Sequence, residues 1–335
     1  MTILDKIKKA NLVGRGGAGF PTALKWEAVK CAQSKNKYIV VNAAEGEPGV
    51  KKDGFILENY PDRVLEGVEL AIKFLSAQKV YFYINHDYYK KYSAKLKKII
   101  SRLGLKDKIE FFLKPVKSGY IGGEETAILN IIEGRRTEPR LKPPFPTTAG
   151  LFGCPTLINN VETFYNVSLV EHNEYYDFRF YTINGPISNP GVYAYPDRWT
   201  IKMVLLESKN YPNFPFFVQV GGDASGEVLS SDQLDKVVCG AGSITVYNLV
   251  KVKPEKLLKY WLDFFKNSSC GQCTPCREGN YRLVELFNKR PVPWKKIREI
   301  LNTLEETSFC ALGAALPLPV KSYLKNILHD NLQIK

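Results

Sequence analysis

Apolar and polar positions change their period along the chain, and the changes divide it into segments. In the first half, short continuous apolar runs alternate with stretches of helical spacing. "KYIVVNA" (37–43) predicts a buried strand, "PDRVLEGVELAIKFLSA" (61–77) a helix opening on proline, and "KVYFYIN" (79–85) a second strand. "YYKKYSAKLKKIISRLG" (88–104) predicts a helix stopped by glycine, leading into strand "IEFFLK" (109–114). Strand and helix in alternation predict an α/β unit: a parallel sheet with helices on its faces. From about 175 to 250 the pattern becomes short β-type runs, "FRFYTINGPI", "GVYAYP", "FFVQVGG" and "SITVYNL", with a single helix near "TIKMVLLES". From 254 onward it is helical: "PEKLLKYWLDFFKN", "NYRLVELFNKR", "VPWKKIREILNTLEET" and "ALPLPVKSYLKNILHD" predict a small helical bundle with a cysteine loop between its first two helices.

Composition adds boundaries to this picture. The 335 residues are 44% hydrophobic and 24% charged, ordinary for folded domains and unlike a disordered chain. No apolar run is long enough to span a membrane, and the N-terminus lacks the apolar stretch of a secretory signal. The expected location is the cytoplasm, with attachment to the inner face of a membrane only through partners. A formal charge of +13 raises nucleic acid as a ligand. The basic residues, however, lie on amphipathic helix faces without interleaved aromatics, so the expectation is solvated surface or a face for an acidic protein, not nucleic acid.

Cysteine spacing carries the sharpest chemical signal. "SSCGQCTPCREG" places Cys270, Cys273 and Cys276 three apart on a loop with glycine and proline punctuation, and Cys310 lies further on, across a helical hairpin. Zinc sites bring ligands in pairs, whereas C-x2-C-x2-C with one distant cysteine suits a 4Fe-4S cubane, so these residues are the candidate metal ligands. Such a cluster moves single electrons, and something else in the chain must supply or take them. "NLVGRGGAGFPTALKW" (11–26) is the second candidate site. Its glycines let backbone approach a ligand, the following helix favours a phosphate, and Arg15 and Lys25 add positive charge. It is not G-x-G-x-x-G after a strand, so the dinucleotide fingerprint fails its own context. Carboxylates then recur at turns: Glu45 and Glu47 after a strand, and Glu124 and Glu125 at a glycine-rich helix start. "RLKPPFP" adds Lys142 and Phe145, and "LINNVET" adds Asn159 and Asn160. An acidic pair alone is ordinarily a helix cap or a solvated face; together these turns suggest a ligand crevice.

"GRGGAGFPT", "GEETA", "RLKPPFP", "NNVET", "SCGQCTPCREG" and the remote "FC" at 309–310 resemble, in order and spacing, the NADH-oxidising flavoprotein F subunit (51-kDa subunit) of respiratory complex I and the diaphorase subunits of soluble hydrogenases and formate dehydrogenases. The resemblance covers the chain from about residue 11 to 330. It implies a Rossmann-like domain holding FMN over 1–172, a ubiquitin-like β domain of the SLBB type over 173–252, and a helical bundle with a 4Fe-4S cluster over 253–335. Carried over residue by residue, it implies that Gly14, Arg15, Gly16, Gly17, Ala18, Gly19, Phe20, Lys25, Asn42, Tyr120, Gly123, Asn159, Asn160 and Thr163 contact FMN. Glu45, Glu47, Glu125, Lys142, Phe20 and Phe145 are implied on the NAD(H) side, with Glu45 as the catalytic candidate, and Glu124 is a further candidate cofactor-binding residue. The implied reaction is hydride transfer from NADH to FMN and one-electron transfer to the cluster, then onward to a thioredoxin-like 2Fe-2S subunit and further iron-sulfur, hydrogenase or dehydrogenase subunits.

Three departures set this chain apart within the resemblance. Ala44 stands where the family usually has an aspartate, Ala28 stands where complex I members commonly have a phenylalanine, and the chain begins almost at the glycine-rich loop. "NAAEGEP" leans toward the C subunit of Rnf-type complexes, but the ferredoxin-like cysteine runs of that relative are absent. Two other readings compete: an electron-relay or scaffold protein that keeps the cluster without binding a dinucleotide, and a zinc-bearing nucleic-acid module. The sequence leaves open NADH against NADPH, because Arg135, Arg136 and Arg140 read equally as helix-end charges and as phosphate ligands.

Overall fold

Ile39, Val40 and Val41 are all fully buried, which requires that strand β1 (Tyr38–Ala43) be covered on both faces. The computed structural model, which describes residues 1–329, supplies that cover. β1 pairs in parallel with β2 (Lys79–Ile84) on one side and β4 (Thr156–Asn160) on the other, and β3 (Ile109–Leu113) adds beyond β2, giving the order β3-β2-β1-β4. One face packs Val40, Tyr83 and Ile158 against Ile128, Leu129 and Ile131 of the helix Glu125–Ile132. Two helices, Pro61–Leu75 and Val161–Glu171, approach closely because Gly67 carries no side chain: a Cβ there would fall 1.9 Å from the Phe164 carbonyl oxygen. All parallel strands point their C-terminal ends the same way, so the turns after β1, β3 and β4 gather at one edge, where such sheets hold ligands.

This first unit comprises Met1–Gly46 and Lys51–Arg179; the second comprises Glu47–Val50 and the chain from Phe180 onward. The second is built on a mixed sheet of β5 (Phe178–Asn184), β6 (Gly191–Pro196), β7 (Phe216–Val220), β8 (Glu227–Ser230) and β9 (Ser243–Asn248), ordered β6-β5-β9-β7-β8. Tyr181, Ile183, Val218, Ile244 and Val246 form a core with Ile201, Val204 and Leu205 of the helix Ile201–Glu207. Phe217 packs against Tyr323 of the helix Pro317–Asn326, and Tyr323 against Trp261 of the helix Pro254–Ser268. That C-terminal helix also covers edge strand β8: Ser322 accepts a hydrogen bond from the Val228 amide at 2.9 Å, and Asn326 donates to the Val228 carbonyl at 2.7 Å.

The sequence pattern places β1, β2, β3 and the long helices within a few residues of where they lie. It does not assign β4, whose polar "NN" end hides a buried strand, nor β8. The third cysteine does not sit on a loop: Cys276 lies in the first turn of the helix Thr274–Phe287, and only Cys270 and Cys273 precede it. Among the described residues no helix is long and apolar enough to cross a membrane.

Candidate functional site

The glycine-rich loop is closed at its base by the Gly14 amide donating to the Phe20 carbonyl at 2.8 Å and by a bridge from Val13 to Pro21. Gly17 and Gly19 have positive φ angles of 110° and 64°, and a Cβ built on either meets nothing within 4 Å. Gly16, Ala18 and Phe20 are exposed along the same loop, so its backbone faces open space. Arg15 behaves differently. It is 4% exposed, its amide donates to the Thr163 hydroxyl at 3.0 Å, and its guanidinium donates to the Phe178 carbonyl at 3.1 Å. Arg15 and Thr163 thus anchor the loop, while the backbone is what it presents.

At the end of β1, Asn42 ties two turns together: its Nδ2 donates to the Gly123 carbonyl at 3.1 Å and its Oδ1 accepts from the Ala44 amide at 3.1 Å. Tyr120 and Gly123 lie on the short turns that lead to the helix Glu125–Ile132. Glu124 caps that helix, accepting from the Thr126 and Ala127 amides at 2.8 Å each. Glu125 is held from two sides, by Lys25 at 2.9 Å and Lys142 at 2.8 Å. Burial alone would raise its pKa, but Lys25 and Lys142 outweigh that and hold it below the usual carboxylate range. Phe20 and Phe145 stand half-exposed, at 51% and 55%.

Beneath this rim lies a buried charge network that the sequence does not reveal. Lys52 donates to Asp53 at 2.7 Å and to Asn160 Oδ1 at 2.9 Å, and pairs with Glu162 at 3.0 Å. Asn160 Nδ2 donates to Asp53 at 2.6 Å, and Asn160 caps the helix Val161–Glu171. Glu45, at a φ of 28°, accepts from the Asp53 amide at 2.8 Å, from the Gly54 amide at 3.2 Å and from the Tyr88 hydroxyl. Burial, then the nearby Asp53 charge, push Glu45 up to about 7, against the pull of Lys52, Tyr88 and the Asp53 amide. Burial disfavours the Lys52 ammonium, but Asp53, Glu162 and Glu45 outweigh it and raise its pKa. Lys52, Asp53, Tyr88 and Glu162 escape a sequence reading because "GVKKD" looks like charged surface. The adjacency of a Lys-Asp pair to a glycine-proline turn is the one available signal.

Glu45 and Glu47, two residues apart in the sequence, have separate surroundings. Glu47 belongs to the second unit, where its Oε1 accepts from the Ala224 and Ser225 amides at 3.0 and 3.1 Å. Asn159 and Asn160 also part. Both polar atoms of the Asn160 amide are spent on the protein, while Asn159 Oδ1 is buried without a hydrogen-bond partner.

At the C-terminal site Cys273 precedes and Cys276 opens the helix Thr274–Phe287, and Cys310 precedes the helix Ala311–Ala315. Cys276 is 5% exposed, and Asn280 donates to its sulfur at 3.2 Å. Burial first, then the other three cysteines, push the Cys276 thiol up to about 11, while Ser269 opposes them. Gly313 makes room, since a Cβ there would lie 3.1 Å from that of Cys276. Among the described residues no group of three His, Cys, Asp or Glu side chains is set for a lone metal ion. Three thiols near enough to raise the pKa of a fourth fit a group that takes up thiolates and spreads their charge.

Comparison with known proteins matches the two regions of the chain in which these residues lie. Residues 7–169 match the Nuo51 FMN-binding domain, and residues 256–332 match the iron-sulfur binding region of NADH-ubiquinone oxidoreductase-F. The F subunit of the NADH-quinone oxidoreductase of Streptomyces coelicolor is 31% identical, over 96% of this chain and 80% of its own length. The chain belongs to the family of NADH-quinone oxidoreductase F subunits. The family member of Aquifex aeolicus is 32% identical over 93% of this chain and 81% of its own. Among solved structures, an NAD+-reducing NiFe-hydrogenase in the H2-reduced state superposes with a TM-score of 0.88 at 28% identity, covering 99% of this chain and 61% of that one. The FMN-binding match falls on the first unit and the iron-sulfur match on the helices at the end of the second. The residues present fit the cofactors: an open glycine backbone and an orphaned Asn159 oxygen for FMN, and convergent thiols for the cluster.

Proposed function

We propose that this chain is the NADH-oxidising component of a multisubunit assembly, with FMN on the ligand edge of the first unit and a 4Fe-4S cluster on Cys270, Cys273, Cys276 and Cys310. The observation that carries the reading is that one chain matches both the FMN-binding and the iron-sulfur regions of the same family. Bound FMN supplies the capacity to take a hydride from NADH and return electrons singly. The chain's own residues bind and orient. The Gly14–Phe20 backbone cradles phosphate, with Gly16, Gly17, Ala18 and Gly19 approaching it, and Asn42, Tyr120, Gly123 and Asn159 border the ring. Lys25, Glu125, Lys142, Phe20 and Phe145 form the rim that a dinucleotide crosses. Glu45 holds or releases a proton near neutral pH at the bottom of the site.

Within the second unit, we assign the division at 252/253 a functional sense: the sheet is a scaffold and the helices carry the cluster. The acceptor is a partner protein, a thioredoxin-like 2Fe-2S protein first, and the working location is the cytoplasmic face. Cys273→Ala should abolish the cluster's iron and visible absorbance while FMN content stays at the wild-type level. Joint loss of both groups would contradict separate sites.

A further inference from the structure

Lys114 follows β3 at the ligand edge of the first unit, with its amide donating to the Ile84 carbonyl at 2.8 Å. Its side chain is half-buried, and among the described residues no carboxylate pairs with it. Three other lysines of the first unit differ in this respect: Lys25, Lys52 and Lys142 are each held by one or two carboxylates. The end of the side chain lies against glycine backbone. A Cβ built on Gly46 would lie 3.2 Å from Lys114 Nζ and 3.5 Å from the Tyr120 ring, and one built on Gly122 would lie 3.3 Å from Lys114 Cε. Two glycines thus leave the space that the end of this side chain uses. On the neighbouring turn the Ala44 Cβ faces Gly123. Burial lowers the Lys114 pKa and nothing offsets it.

A half-buried ammonium that no carboxylate pairs with among the described residues, beside Tyr120 and Gly122, is suited to an anion that comes and goes. We infer that Lys114 is the counter-charge for the negative charge that develops on the flavin ring when it is reduced, and so sets how readily this site's flavin accepts electrons. The inference rests on the proposed FMN site. It favours the ring over a dinucleotide phosphate because Tyr120, which borders the Lys114 side chain, and Gly123, next to Gly122 in the chain, are ring contacts in that reading, whereas the phosphate cradle is the Gly14–Phe20 loop.

Sulfite tests this without NADH or turnover. Its sulfur bonds to the reactive nitrogen of the oxidised ring, the displaced electron pair leaves negative charge on the pyrimidine half, and no other reactant is consumed. With the FMN-loaded chain, Lys114→Met and Lys114→Gln should bind sulfite about tenfold or more weakly than wild type, since an adjacent unit charge in a half-buried site acts at that scale. Lys114→Arg should stay close to wild type. Unchanged sulfite affinity in either neutral variant, with FMN still bound, overturns the inference. Loss of NADH or NADPH affinity with unchanged sulfite affinity overturns it in favour of a phosphate contact. A wild-type chain that takes up no FMN overturns instead the reading on which the inference rests.

Discussion

Lys52 and Lys142 each sit between two carboxylates, Asp53 and Glu162 for the first, Glu124 and Glu125 for the second. Their environments are opposite. The Lys52 side chain is 4% exposed and its partners 3% and 1%, whereas Lys142 is 31% exposed and its partners 21% and 30%. In the dry group an exchange of partners would strand a charge away from water, so the arrangement is fixed and serves as a frame for Asn160, Glu45 and the Asp53 turn. In the wet group each pair contributes little to stability and can trade its partner for a ligand. The same residue types therefore form a fixed frame in one place and, in the proposed reading, meet the ligand in the other.

Removing the buried cation should have the largest effect. Lys52→Met leaves Asp53 and Glu162 without their counter-charge, and denaturant unfolding should show a loss of about 3–5 kcal/mol. A loss below about 1 kcal/mol would mean that water reaches the network.

Glu45 should give the next largest effect, as a pH dependence. Its folded pKa is raised, from 4.5 to about 7, so its contribution to stability is fully present below 4.5 and is lost as pH rises through about 7. The stability difference between wild type and Glu45→Gln should therefore shift against wild type by up to about 3 kcal/mol across that window. A flat difference across the same window would show that the carboxylate is ionised throughout.

The rim should give the smallest effects. Glu124→Ala removes a helix cap and should cost about 1 kcal/mol. Glu125→Gln should cost less than about 1 kcal/mol, yet weaken NADH-driven reduction of the flavin with FMN retained. Equal thermal destabilisation by the two variants would erase the distinction between cap and ligand group.

How far the sequence can be read follows the same divide. Strands such as "KYIVVNA" and the amphipathic helices announce themselves because burial on a face imposes a period. The rim residues and the cysteines are legible because glycine, proline and chemically reactive types cluster at turns. Lys52, Asp53 and Glu162 are not, because period says nothing about a charged residue that is buried by its partners, and Glu162 lies on a helix far along the chain from the other two. The separation of Glu45 from Glu47 is equally hidden. Two residues apart on a turn, they accept hydrogen bonds from different units, and only the fold says which amides each one meets.

In the proposed reading the frame and the rim together make a site where a reduced nicotinamide dinucleotide delivers electrons to FMN. An anaerobic absorbance titration of the FMN-loaded chain with NADH, and separately with NADPH, tests this most directly. Bleaching of the flavin band by near-stoichiometric NADH or NADPH is the predicted result. A flavin band that ignores both but bleaches with dithionite would contradict it, and would leave an electron-relay protein whose rim no longer holds a dinucleotide.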